Sequence, residues 1–180
     1  MSAPRRHGCS IRAATAADAG AVAALAEATF RDAYVGAPGE ALDVYCAEAF
    51  GAEVQRRELE DPRVEMLVAE SGGEMVGYVQ LVEEGAPACV AARPAIELRR
   101  IYLRRDWHGT GLAHDLFERA CERARSRGAA TLWLGVWEGN PRAIRFYEKA
   151  GFRVVGEQSF ELGFERQRDL VLALPLVGDA

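Results

Sequence analysis

"IELRRIYLRRDWHGTGLAHDL", residues 96–116, decides how the chain is read. Its first nine residues, 96–104, are a strand candidate. A short loop with Gly109 and Gly111 follows, and then a helix begins. Leu112, Leu116, Ala120 and Ala124 mark one stripe at i+4 spacing, and Gly128 is placed to end the helix. The N-terminus of a helix carries free N–H groups and partial positive charge, so it attracts anions. Glycines let a phosphate oxygen approach several amides without a Cβ in the way. A strand-to-helix turn that needs small residues satisfies the same pattern, and the glycines alone do not separate the two. The pattern is neither G-x-G-x-x-G nor a loop ending GK[ST], which argues against a dinucleotide or nucleoside triphosphate fold.

Working outward, "ATLWLGVW" (130–137) is a near-continuous apolar run of the kind buried inside a sheet. "NPRAIRFYEKAGF" (140–152) is a helix with Asn140 as N-cap, Pro141 at its first position and Gly151 past its end. The segments 153–163 and 166–176 predict two more strands. Upstream, "VEMLVAE" (64–70) and "EMVGYVQLVE" (74–83) predict a hairpin across the turn "SGG". "SIRAAT" (10–15) is a short first strand, and Thr15 with Asp18 resembles a capping box. Val22, Leu25, Ala26 and Thr29 predict a helix over 16–33, and 40–60 is helical again as two short helices either side of Gly51. The order β-α-α-β-β-β-α-β-α-β-β implies an α/β (α+β) fold. Its mixed central sheet has about seven strands and is flanked by about four helices.

The 180 residues fit a single domain, with residues 1–9 expected to be a flexible N-terminus. The formal charge of −5 argues against nucleic acid as partner and is compatible with a cationic substrate. Cys9, Cys46, Cys89 and Cys121 are far apart, form no CxxC pair and offer no metal spacing. No apolar run approaches a membrane span. A cytoplasmic protein without metal or membrane association is expected. A nucleotide-binding protein needs a glycine-rich first βα turn, and "SIRAATAAD" offers none.

Taken together, "IELRRIYLRRDWHGTGLA", "LWLGVW" and "NPRAIRFYEKAGF" resemble the GCN5-related N-acetyltransferase superfamily. The superfamily's acetyl-CoA loop runs Gln or Arg, two residues, Gly, one residue, Gly or Ala. Here that window is His108-Gly109-Thr110-Gly111-Leu112-Ala113; Gly111 and Ala113 match, and His108 departs from it. "IELRRIYL", "WLGVWEGN", the ending "GEQSFELGFERQRDLVLALPL" and the early "ATFRDAY" are similar to PaiA-type spermidine/spermine acetyltransferases. The resemblance implies a GNAT fold splayed between the strands at 96–103 and 130–137, with acetyl-CoA as co-substrate. It implies direct transfer to a small primary amine, a polyamine among the candidates, and edge strands that can pair copies into a homodimer. A CoA-binding regulatory module without turnover is the alternative, motivated by His108.

The resemblance also assigns roles. The pyrophosphate rests on the amides of Gly109 to Ala113, with His108 able to donate one hydrogen bond. The strand edge from Ile101 to Leu103 pairs with pantetheine, and the N–H of Leu103 holds the thioester carbonyl, a donor worth about 3 kcal/mol in a transition state. Asn140 adds a cofactor contact through its amide. Tyr147 protonates the departing thiolate, although Ala143, Phe146, Tyr147 and Ala150 also read as one core stripe. An alkylammonium of pKa about 10.4 is free amine in roughly one molecule in a thousand at pH 7, so a base saves about 4–5 kcal/mol. Glu97 is the first choice and Glu138 the second. Arg99 and Arg100 are expected on the sheet surface, and "RRELEDPR" (56–63) as a solvated charge run.

Overall fold

The computed structural model describes residues 8–176. Residues 1–7, most of the segment expected to be flexible, lie outside the described residues. Cys9 already starts the first strand, β1 (Cys9–Ala13). A 3₁₀ turn (Ala16–Asp18) leads into α1 (Ala19–Ala33), then α2 (Gly39–Ala49) and α3 (Ala52–Glu60). The hairpin β2 (Val64–Ser71) and β3 (Glu74–Val82) precedes β4 (Ala95–Leu103). After a second 3₁₀ turn (Arg105–Trp107) come α4 (Leu112–Ser126), β5 (Thr131–Trp137) and α5 (Pro141–Lys149). β6 (Arg153–Leu162) and β7 (Glu165–Pro175) close the chain. The segment 40–60 forms two short helices, α2 and α3, either side of Gly51 as expected, which brings the helices among the described residues to five. The capping box forms: the Thr15 N–H donates to the Asp18 carboxylate at 2.7 Å, and Arg12 grips the same carboxylate at 2.8 Å.

The seven strands form one sheet in the order β1-β2-β3-β4-β5-β7-β6. Alternation along the strands separates two apolar layers. Leu67, Val79 and Leu98 face α4, whose Leu112, Leu116, Ala120 and Ala124 are all buried there. Met66, Val68 and Tyr78 face the opposite way, against Val22, Leu25, Ala26 and Phe30 of α1. Among the described residues no helix is long and apolar enough to cross a membrane.

The centre of the sheet is where it opens. β4 and β5 are its parallel pair, and they meet only at Ala95–Thr131, Ile96–Leu132 and Glu97–Trp133. The cause lies on the other side of β4. Leu81 pairs with Leu98 and Gln80 with Arg100, which leaves Arg99 without a partner in β3. One extra residue in an antiparallel pair bends and twists the strand that carries it. β4 therefore turns away after Glu97, while β5 stays registered with β7 as far as Trp137 and Asp169. The result is a V-shaped gap between β4 and β5.

Candidate functional site

The gap holds a cavity of about 390 Å³. One wall is β4, with Ile101, Tyr102 and Leu103; the other is β5, with Gly135, Val136 and Trp137. The loop before α4 (His108, Gly109, Gly111), the start of α4 (Ala113) and the inner side of α5 (Asn140, Ala143, Tyr147) close one end. Tyr34, just past the end of α1, also borders the cavity and stacks on Trp137.

The loop has the geometry of an anion cradle. Gly109 and Gly111 sit at φ +77° and +93°, a region that only glycine enters cheaply. The N–H groups of Gly109, Gly111 and Ala113 have no protein acceptor among the described residues. That of Leu112 reaches only Thr110 Oγ1, at 3.5 Å. These are the orphan donors of a helix N-terminus, gathered at one mouth of the cavity. Thr110 is turned inward instead: its hydroxyl donates to the Trp107 carbonyl at 2.8 Å and its N–H reaches the same carbonyl at 3.4 Å. Leu112 leaves only its main chain near the loop, its side chain being buried in the core.

Glycine at position 111 is thus a conformational need. A Cβ there would meet nothing within 4 Å, so Gly111→Ala is expected to lower stability by only about 1–2 kcal/mol. Relieving the strain rotates the neighbouring amides, and losing one charge-assisted hydrogen bond of about 1.5–3 kcal/mol would weaken an anion held there, such as the pyrophosphate the sequence resemblance implies, roughly tenfold or more. Thermal melts beside calorimetric titration with coenzyme A read both effects. Unchanged affinity would remove the cradle's assigned role.

His108 lines the cavity, but its ring nitrogens are engaged within the protein. Arg142 donates to Nδ1 at 3.0 Å, and Nε2 lies 3.2 Å from the Leu103 carbonyl. Guanidinium can only donate and a carbonyl can only accept, so the imidazole is neutral with its proton on Nε2. Burial, then the Arg142 charge, holds its pKa below the ordinary histidine value. The single N–H that the sequence reading offered to an anion is thus spent on Leu103. Arg142, missed in the sequence, brings guanidinium donors to the cavity wall instead.

On β4, Arg104 N–H bonds the Val76 carbonyl of β3 at 2.9 Å. By strand alternation the backbone groups of Leu103 then face the gap, where β4 has no strand partner after Glu97. Ile101 shows the gap its main chain while its side chain packs on the core.

Tyr147 serves as both core and wall. Its ring packs edge-on against Phe146 and Phe152, with centroids 5.4 and 5.5 Å away, and it borders the cavity. Burial, then the nearby Tyr102, pushes its pKa well above the ordinary tyrosine value, so the hydroxyl keeps its proton. Asn140 caps α5, its side-chain oxygen accepting from Ala143 N–H at 3.1 Å, and it also borders the cavity.

The two carboxylates named as bases lie off the cavity wall. Glu97 belongs to the last paired rung before the gap and is bound by Arg99 at 2.8 Å, while burial raises its pKa. Glu138 is exposed and lies 3.4 Å from Arg168. Arg100 corrects the expectation of a surface residue: it is only 9% exposed and borders the cavity. It pairs with Glu58 at 3.1 Å and lies 4.9 Å over the Phe50 ring. Glu58 in turn leaves the solvated run 56–63 to accept from Gln80 at 2.9 Å. Arg99 is part-buried, held by Glu97 and Glu84.

Burial raises the thiols of Cys9, Cys46 and Cys121, the last to about 11, which disfavours nucleophilic thiolate. Among the described residues no group of three or more His, Cys, Asp or Glu could hold a metal ion.

Residues 22–152 match the model of the acetyltransferase (GNAT) family. An uncharacterized N-acetyltransferase of Mycobacterium tuberculosis is 38% identical over 119 residues, covering 66% of this chain and 72% of that protein. The ribosomal protein bS18-alanine N-acetyltransferase of Escherichia coli is 29% identical over 129 residues, covering 68% of this chain and 87% of that protein. Among solved structures, the PaiA N-acetyltransferase of Thermoplasma acidophilum in complex with coenzyme A superposes with a TM-score of 0.75. It covers 93% of this chain and 99% of its own, at 19% identity, and so shares the fold.

Proposed function

This chain belongs to the acetyltransferase (GNAT) family and is an N-acetyltransferase that uses acetyl-CoA, and we propose that it moves the acetyl group directly to a small primary amine. The observation that carries this reading is the opened sheet: β4 loses its partner after Glu97 just where the orphan amides of the α4 loop converge. On this reading the pyrophosphate rests on Gly109 to Ala113, with Arg142 beside it, and pantetheine lies along Ile101 to Leu103. The Leu103 N–H donates to the thioester oxygen as negative charge develops there. The amine nitrogen bonds to the carbonyl carbon, the carbon–sulfur bond breaks, and Tyr147 gives its proton to the sulfur. Glu97 and Glu138, being off the wall, would take the amine's proton only through water.

A polyamine such as spermidine or spermine is the first acceptor candidate, supported by the likeness of "ATFRDAY" and the C-terminal strands to PaiA-type enzymes. The amino end of a protein chain is the second, favoured by the similarity to the alanine N-acetyltransferase of Escherichia coli. Four unbridged thiols support a cytoplasmic setting. Val154 and Val155, exposed on the edge strand β6, support pairing of two copies.

Incubation with acetyl-CoA and a panel of polyamines, amino acids and alanyl peptides, with acetylated product read by mass, tests the proposal. Turnover of spermidine or spermine above the peptides is the expected result. Turnover of the alanyl peptide alone would move the assignment to a protein N-terminus, and acetylation of no amine would end it.

A further inference from the structure

Asp169 of β7 is a buried carboxylate that nothing in the described protein neutralises. It is 5% exposed, it joins no ion pair, and its Oδ1 is buried without a hydrogen-bond partner. Arg100, buried to a similar degree, has Glu58. An unpaired buried carboxylate is costly, so a fold that keeps one invites the question of what it faces.

It faces the cavity wall. Asp169 pairs with Trp137 and follows the rung of Val171 and Gly135. A Cβ built on Gly135 would stand 3.2 Å from Asp169 Oδ2 and 2.7 Å from Gln158 Nε2. Gly135 itself borders the cavity. The carboxylate therefore lies just behind the wall, beside the place that a side chain at 135 would fill. Trp137 stacks on Tyr34 at 5.4 Å between ring centroids, and both border the cavity, as does Tyr102. The titratable groups that feel Asp169 are the phenols of Tyr34, from the end of α1, and Tyr102, from β4. Both remain protonated at neutral pH, since burial raises each well above the ordinary value. Gly135, Trp137 and Gln158, which face it from β5 and β6, do not titrate.

One uncompensated carboxylate beside aromatic faces is a receptor for a cation of ammonium type. We propose that Asp169, just behind the wall, draws the acceptor's ammonium group to this part of the gap and takes its proton through a water beside Gly135. The inference rests on the reading of the acceptor as a primary amine. The ammonium gives one proton to Asp169, which later passes it to solvent. The freed amine bonds to the carbonyl carbon and the carbon–sulfur bond breaks. The sulfur takes the Tyr147 proton, and the surplus proton on nitrogen restores Tyr147. Atoms and charge balance without a further reactant.

Burial pushes the Asp169 pKa up to about 6, from an ordinary value of 3.8. The ionised, proton-accepting form thus appears as pH rises through about 6. The same shift acts on stability: its contribution is fully present below pH 3.8 and lost as pH rises through about 6. At pH 7 the ionised side chain is therefore a burden, which Asn, of the same shape and uncharged, relieves.

The test is kcat/KM against pH for wild type and Asp169→Asn, using the best acceptor among spermidine, spermine and an alanyl peptide, with melts and coenzyme A titrations alongside. Expected are a loss of about 10²-fold or more in kcat/KM and disappearance of the rise near pH 6. Coenzyme A affinity should be unchanged, and the melting temperature at pH 7 equal or higher. An Asp169→Asn enzyme with wild-type kcat/KM and the same acid limb overturns the assignment. Should that variant not fold, Gly135→Ala, whose methyl crowds the carboxylate, is expected to displace the acid limb; an unmoved limb again overturns it. A wild-type enzyme that acetylates no amine ends the amine reading, and this one with it. One that acetylates an amine while Asp169→Asn behaves as wild type ends only the role of Asp169.

Discussion

Tyr147→Phe is expected to lower kcat by about 10²- to 10³-fold while leaving the affinity for coenzyme A unchanged. The substitution removes one oxygen and keeps the ring, so the packing against Phe146 and Phe152 survives. What is lost is the hydroxyl at the cavity wall, kept protonated by burial. Without it the thioester sulfur leaves as an unprotonated thiolate, and a positioned general acid contributes about 10²–10⁴-fold. Single-turnover rates with calorimetric coenzyme A titration separate chemistry from binding. A rate equal to wild type would mean that the sulfur finds its proton elsewhere. A parallel loss of coenzyme A affinity would make Tyr147 a binding residue instead.

Phe152→Ala is expected to destabilise the fold by about 3–5 kcal/mol, the usual cost of emptying a buried aromatic site. Phe152 is 1% exposed and touches rings from two helices, Phe117 of α4 at 5.8 Å and Tyr147 of α5 at 5.5 Å. For a chain of this size the melting temperature should fall by roughly 10 °C. Differential scanning calorimetry reads the loss. A decrease under about 1 kcal/mol would show that this ring does not hold α4 and α5 in place. Because Tyr147 leans on Phe152, residual activity measured well below the melting point should also fall.

Much of this architecture could be read in advance because burial is periodic. The α4 stripe from Leu112 to Ala124 and the apolar run of β5 announce their partners by spacing alone, and Asn140 announces its helix by capping chemistry. The bulge at Arg99 could not be read, since an unpaired residue is defined only against the opposite strand. Arg100 and Glu58 are 42 positions apart, and nothing in "RRELEDPR" distinguishes the one glutamate that turns inward. His108 stood out as the odd member of its loop. That its ring would hold Leu103 and Arg142 depends on α5 arriving from 34 positions away. Asp169 precedes an apolar run, 170–174, that does not mark it out; only the bare backbone of Gly135, two positions before its partner Trp137, reveals where it leads.

The three rungs that join β4 to β5 have one more consequence. The strands on the β4 side all come from residues 9–103, and those on the β5 side all from 131–175. The seam in the sheet is therefore also a seam in the chain, bridged at its closed end by those rungs and along one face by α4. A substrate lying in the seam acts as mortar between two separately built half-walls, so catalysis and the cohesion of the molecule draw on the same line of contact.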